Sequence, residues 1–185
     1  MNNLELFDIY KNSNSSEDQT ILEGLKDDNQ KKIDSKFFYD EYGSHLFEEI
    51  TKLDEYYPTR IELNILENYN KTINNFLPRN ASIIEFGSGS NKKIKKLLGA
   101  LDNPAEYIPI DISKSFLFDN AKSFAKNHPE IKVTAICADL NQKIDIEEII
   151  EMKMPKIGFF PGSTIGNFLP MDEKKLLKRF NDILG

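Results

Sequence analysis

Glu85-Phe86-Gly87-Ser88-Gly89-Ser90 is the stretch whose residue types and spacing could do chemistry. It follows a short apolar run, Ser82-Ile83-Ile84, and precedes a helical pattern with Ile94, Leu97, Leu98 and Leu101 on one side. A glycine turn at the carboxyl end of a strand lets a cofactor approach the backbone where a side chain would collide. Two carboxylates stand at comparable places further on. Asp111 closes a second predicted strand, Tyr107-Ile108-Pro109-Ile110, where it can accept both hydroxyls of a ribose. Asp139 follows a third, Val133 to Cys137, within reach of an adenine amino group. Alone, each aspartate also fits a turn or a helix cap. Together with the loop they describe a nucleoside site. A dinucleotide fingerprint wants a third glycine at position 92, and Lys92 stands there. That favours S-adenosylmethionine, which carries no phosphate, over NAD. Lys93 either reaches the methionine carboxylate of that donor or is simply solvated.

These residues need a parallel sheet to carry them. Ile157-Gly158-Phe159-Phe160 is a fourth predicted strand, and a last helix carries Leu176, Leu177, Phe180 and Ile183. Ser113 caps a helix with Phe116, Leu117, Ala121 and Phe124 inward. Strands alternating with helices imply an α/β fold with right-handed crossovers. Doubly wound folds normally need more than the four parallel strands counted here, so the core reads as incomplete. Three segments are expected. Residues 1–33 are polar and partly helical, with Asn12 to Asp18 a low-complexity loop and Ile21, Leu22 and Leu25 on a short helix. Residues 34–80 are aromatic-rich and helical. One helix there passes through Leu46, Phe47 and Ile50; another starts at a Thr59–Glu62 capping box and carries Ile61, Ile65, Leu66, Tyr69 and Ile73. Residues 81–185 are the first half of a nucleoside-binding domain.

Composition narrows the classes. A net charge of −6 disfavours a nucleic-acid partner, which usually requires a basic surplus. The run Lys92, Lys93, Lys95 and Lys96 reads as a solvated helix face. No apolar run reaches membrane-spanning length, and no signal peptide precedes Asp8. A single cysteine, Cys137, excludes an internal disulfide and fits a reducing cytoplasm. His45 and His128 are too isolated for a metal site.

Longer motifs carry a family resemblance. Phe159-Phe160-Pro161-Gly162-Ser163-Thr164-Ile165-Gly166-Asn167-Phe168 is one. Phe38-Tyr39-Asp40-Glu41-Tyr42-Gly43-Ser44, Glu48-Glu49-Ile50-Thr51, Glu55-Tyr56-Tyr57-Pro58-Thr59-Arg60 and the glycine loop are the others. From about position 20 onward the chain resembles the histidine-specific methyltransferases that make hercynine on the route to ergothioneine. The resemblance implies a Rossmann-like class I methyltransferase core preceded by helices, with a substrate domain inserted later. It implies that Gly87, Lys93, Asp111, Asp139 and Leu140 hold the methyl donor. Leu140 stands where that family carries an aromatic residue. Tyr56 and Asn167 match residues gripping the amino and carboxylate groups of the substrate amino acid, and Tyr39 lines the same pocket. By residue type alone, Asn167 is a turn residue, although an amide both donates and accepts. The imidazole-recognising residues, an acid and a hydroxyl, are implied to come from beyond position 185. Two readings follow: a histidine Nα-methyltransferase, or a truncated, inactive piece of one that at most binds nucleoside and, with an apolar strand edge exposed, self-associates. An NAD-dependent oxidoreductase is the weaker third.

Overall fold

In the computed structural model, residues 3–10, 14–146, 149 and 154–185 are described. The start of the expected low-complexity loop, residues 12 and 13, lies outside them. Its remainder is helical, as the first turn of α1 (Asn14–Lys26). The other helices are α2 (Glu41–Ile50), α3 (Tyr57–Asn68), α4 (Asn70–Asn74), α5 (Lys92–Leu98), α6 (Lys114–Asn127) and α7 (Pro170–Leu184). Five strands alternate with them: β1 (Leu4–Asp8), β2 (Ser82–Phe86), β3 (Glu106–Asp111), β4 (Lys132–Cys137) and β5 (Lys156–Phe159).

The strands form one sheet in the order β1-β4-β3-β2-β5, and every pair is parallel. The expected α/β sheet is therefore present, with five strands where four were expected. The extra one, β1, falls in the polar segment. Its pairs run Leu4 with Val133 to Asp8 with Cys137, so β4 completes a ladder that five half-polar residues do not advertise alone. Asn3 anchors it further. The Asn3 amide nitrogen lies 3.0–3.1 Å from the carbonyls of Ala125, His128 and Ile131, where α6 ends.

Side-chain alternation divides the core into two layers. Ile83, Tyr107, Val133 and Ala135 face Ile94, Leu97, Leu117 and Phe124 of α5 and α6. Ile84, Phe86, Ile108, Ile110 and Ile136 face Leu176, Phe180 and Ile183 of α7, with Phe86 stacked on Phe180 at 3.7 Å. Among the described residues no helix is long and apolar enough to cross a membrane.

Four helical expectations change, the first being Ser113, which precedes α6 but makes no side-chain cap. The capping box is not formed: α3 begins at Tyr57, with Pro58 in its first turn and no side-chain cap. Starting there frees Glu62 for a tertiary role. Of the apolar stripe on α3 only Leu66 is buried, while Ile61, Ile65 and Tyr69 are exposed. The lysine run is also not simply solvated. Lys92 pairs with Glu48 (2.6 Å), Lys93 with Glu62 (2.6 Å) and Lys96 with Glu67 (2.8 Å), fastening α5 to α2 and α3.

Candidate active site

The loops at the carboxyl ends of β2 to β5 open onto one cavity of about 430 Å³, the usual ligand position in a parallel sheet. Gly87, Lys93, Asp111, Asp139 and Leu140 all line it. So do Tyr39, Tyr56 and Asn167. Residues taken from six separate stretches of sequence thus share one space.

At one end, β2 runs into the glycine turn. Gly87 has φ +72°, which a side chain would strain. The Gly87 and Ser88 amides both donate to the Ile110 carbonyl, at 2.9 and 3.0 Å, locking the turn onto β3. A Cβ placed on Gly89 would meet nothing within 4 Å, so the backbone there is open to a close-approaching ligand. Leu140 Cδ1 lies 4.0 Å from the place of a Cβ on Gly87, so Leu140 closes on the turn. Asp111 ends β3, accepts the Ser113 amide at 2.8 Å, and is pushed up to about 7 by burial. Asp139 is buried, accepts the Asn141 amide at 2.8 Å, and sits 3.6 Å from Lys36 Nζ.

At the other end the aromatic segment meets the loop after β5. Asn167 Nδ2 donates to the Tyr39 hydroxyl at 3.3 Å. The Tyr39 ring meets Phe47 edge-on at 6.2 Å, and Phe47 meets Tyr56 at 5.8 Å. Tyr56 is held by its turn, because Arg60 donates to the carbonyls of Leu53 (2.7 Å) and Asp54 (2.5 Å). Burial raises the Tyr56 hydroxyl above the ordinary tyrosine value, with smaller contributions from Tyr39 and Glu62. The Asn167 loop is itself unusual. Ser163 adopts the left-handed region at φ +56°, and the Thr164 hydroxyl donates to the Pro161 carbonyl at 2.9 Å. Backbone strain of this kind concentrates where a site needs a fixed shape.

Three lysines line the cavity and each is already paired: Lys36 with Glu17 (3.2 Å) and Asp139, Lys92 with Glu48, Lys93 with Glu62. Glu85 lines it too, as a buried carboxyl. Carboxylates beside neutralised lysines suit a cationic nucleoside and repel a pyrophosphate. The residues present fit S-adenosylmethionine. Sequence reasoning missed Glu62, which accepts the Gly162 amide at 2.7 Å while holding Lys93, so it joins α3 to both halves of the site. The capping-box pattern concealed it, and no local signal reveals a partner one hundred positions away.

Comparison with known proteins agrees with this geometry. Residues 17–185 match the family model for histidine-specific, SAM-dependent methyltransferases. The histidine N-alpha-methyltransferase of Mycolicibacterium smegmatis is 33% identical over 161 residues, covering 83% of this chain and 48% of that protein. Its namesake in Mycobacterium tuberculosis is 33% identical over 147 residues, 76% of this chain and 43% of the relative. Ergothioneine biosynthesis protein 1 of Neurospora crassa is 33% identical over 162 residues, 85% of this chain and 18% of the relative. The chain thus spans about half the length, or less, of the relatives it matches. The match runs through the aromatic segment, the glycine turn and the Asn167 loop to the last residue: the chain belongs to the histidine-specific, S-adenosylmethionine-dependent methyltransferases.

Proposed function

We propose that this chain holds S-adenosylmethionine at the glycine-turn end of the cavity and anchors the backbone groups of histidine at the Tyr39–Asn167 end. It would do so as the donor-binding part of a histidine Nα-methyltransferase. The convergence of eight separately predicted residues on one cavity carries the reading. When bound, S-adenosylmethionine supplies an electrophilic sulfonium methyl group, so the protein needs no nucleophile of its own. Gly87 and Gly89 give the donor room against the backbone. Asp111 accepts the ribose hydroxyls, while Asp139 and Leu140 meet the adenine. Lys93, shared with Glu62, meets the methionine carboxylate.

Tyr56 and Asn167 take the amino and carboxylate groups of the amino acid, with Tyr39 orienting Asn167. The main contribution to rate is alignment of amine with methyl. Because its hydroxyl is raised, Tyr56 stays protonated at neutral pH and anchors by hydrogen bonding; the amine's proton leaves to solvent. The oxidoreductase reading is not favoured, since the family matched is SAM-dependent. A reducing cytoplasm suits the lone buried thiol, Cys137, which burial pushes up to about 12.

Two measurements test this. Calorimetry on the chain should give saturable one-site heat with S-adenosylhomocysteine and none with NADH. The whole protein, incubated with S-adenosylmethionine and histidine, should yield products heavier by one, two and three methyl groups. Turnover of another amine with histidine untouched would reject the substrate.

A further inference from the structure

A polar cluster lies behind the glycine turn, on a sheet face otherwise given to apolar residues. Tyr107 of β3 is 0% exposed, and Glu85 of β2 and Ser88 of the turn are each 1% exposed. The Tyr107 hydroxyl donates to Glu85 Oε2, and Ser88 Oγ lies 3.1 Å from the Tyr107 oxygen. A tyrosine hydroxyl has one proton, and here Glu85 receives it, so Ser88 must be the donor in the second bond. The order Ser88 to Tyr107 to Glu85 ends on a carboxylate and holds only while that carboxylate accepts.

Packing does not require this arrangement. The Tyr107 ring sits among Ile83, Val133 and Phe124, its centroid 4.7 Å from that of Phe124, and phenylalanine would fill the same volume. Burying a carboxyl and two hydroxyls in such a layer is costly unless each finds a partner. Here the three find one another, and one of them, Ser88, belongs to the turn that faces the donor cavity. The turn is therefore held twice, by the Ile110 carbonyl through its amides and by Tyr107 through a side chain.

We propose that Tyr107 is a positioning residue for donor binding: its single hydroxyl holds Ser88, and with it the Gly87–Gly89 turn, together with Glu85 in the arrangement that admits the donor. This rests on the donor-site reading above. The groups facing Glu85 are Tyr107 and Asp111 from β3, Lys93 from α5 and Ser88 from the turn. Burial pushes Glu85 up to about 7, while the bond from Tyr107 and the charge of Lys93 pull the other way. Removing the Tyr107 hydroxyl should move Glu85 higher still and leave Ser88 without this partner at every pH, so donor affinity should fall and its pH midpoint should rise.

Calorimetry with S-adenosylhomocysteine from pH 6 to 9, on the chain and on Tyr107→Phe and Ser88→Ala, decides the matter. Tyr107→Phe should bind about tenfold more weakly at pH 7, the loss of one buried hydrogen bond to a charged group, with the pH midpoint of binding moved up. Ser88→Ala, which deletes no core volume beyond an oxygen, should show the same change at smaller size. Affinity and midpoint unchanged in both variants overturn the proposal. Weaker binding with an unmoved midpoint also overturns it, by giving Tyr107 a purely structural part. No heat from the unaltered chain at any pH refutes the donor-site reading and this proposal together.

Discussion

Glu85 and Asp111 place two raised carboxyls at one wall of the cavity. Burial pushes both carboxyls up to about 7, from ordinary values of 4.5 and 3.8. Between those ordinary values and 7 the folded chain keeps protons that the unfolded chain has released, so its stability falls as pH rises through that window. For Glu85 alone the effect is roughly 3 kcal/mol. Thermal unfolding of the donor-free chain should therefore show Tm falling from pH 4.5 to 7, and Glu85→Gln should flatten that slope. A parallel slope in the variant would contradict it. On the proposed function donor binding runs the other way, because a carboxyl accepts two ribose hydroxyls only when ionised. The expected residues that line the cavity were legible because all but Lys93, on α5, sit beside a strand end or inside a long motif. Their partners were not, since Glu62 with Gly162 and Tyr39 with Asn167 are contacts across one hundred or more positions, invisible to local pattern.

The elements that carry the aromatic segment depend on a close backbone approach. Asp40 caps α2 by accepting the Gly43 amide at 2.6 Å, and a Cβ on Gly43 would lie 1.9 Å from the Phe38 carbonyl oxygen. Since that obstacle is backbone, Gly43→Ala must open the turn next to Tyr39. It should cost about 2 kcal/mol in denaturant unfolding, and it should weaken histidine binding more than donor binding. Equal losses for both ligands would refute this. The sequence shows α2, α5 and α6 through their apolar spacing; Ser113 marks where α6 starts, although its side chain makes no cap. It misleads at α3, where exposed Ile61, Ile65 and Tyr69 mimic a buried stripe, and at β1, whose half-polar alternation has meaning only beside β4.

Over the whole molecule, β1 is one edge of the sheet and β5 the other. Removing residues 1–10 would uncover β4, strip the Asn3 amide from the end of α6, and break the Asp8–Lys114 pair (2.7 Å). Light scattering of that deletion should show association through the bared strand, with Tm lowered by roughly 5 °C or more. A monomer of unchanged Tm would show β1 to be dispensable. The family match begins at residue 17, after this strand has ended. The cavity lining thus falls inside the matched residues and the bordering strand outside them, so a change in β1 should be read in Tm before it is read in ligand binding.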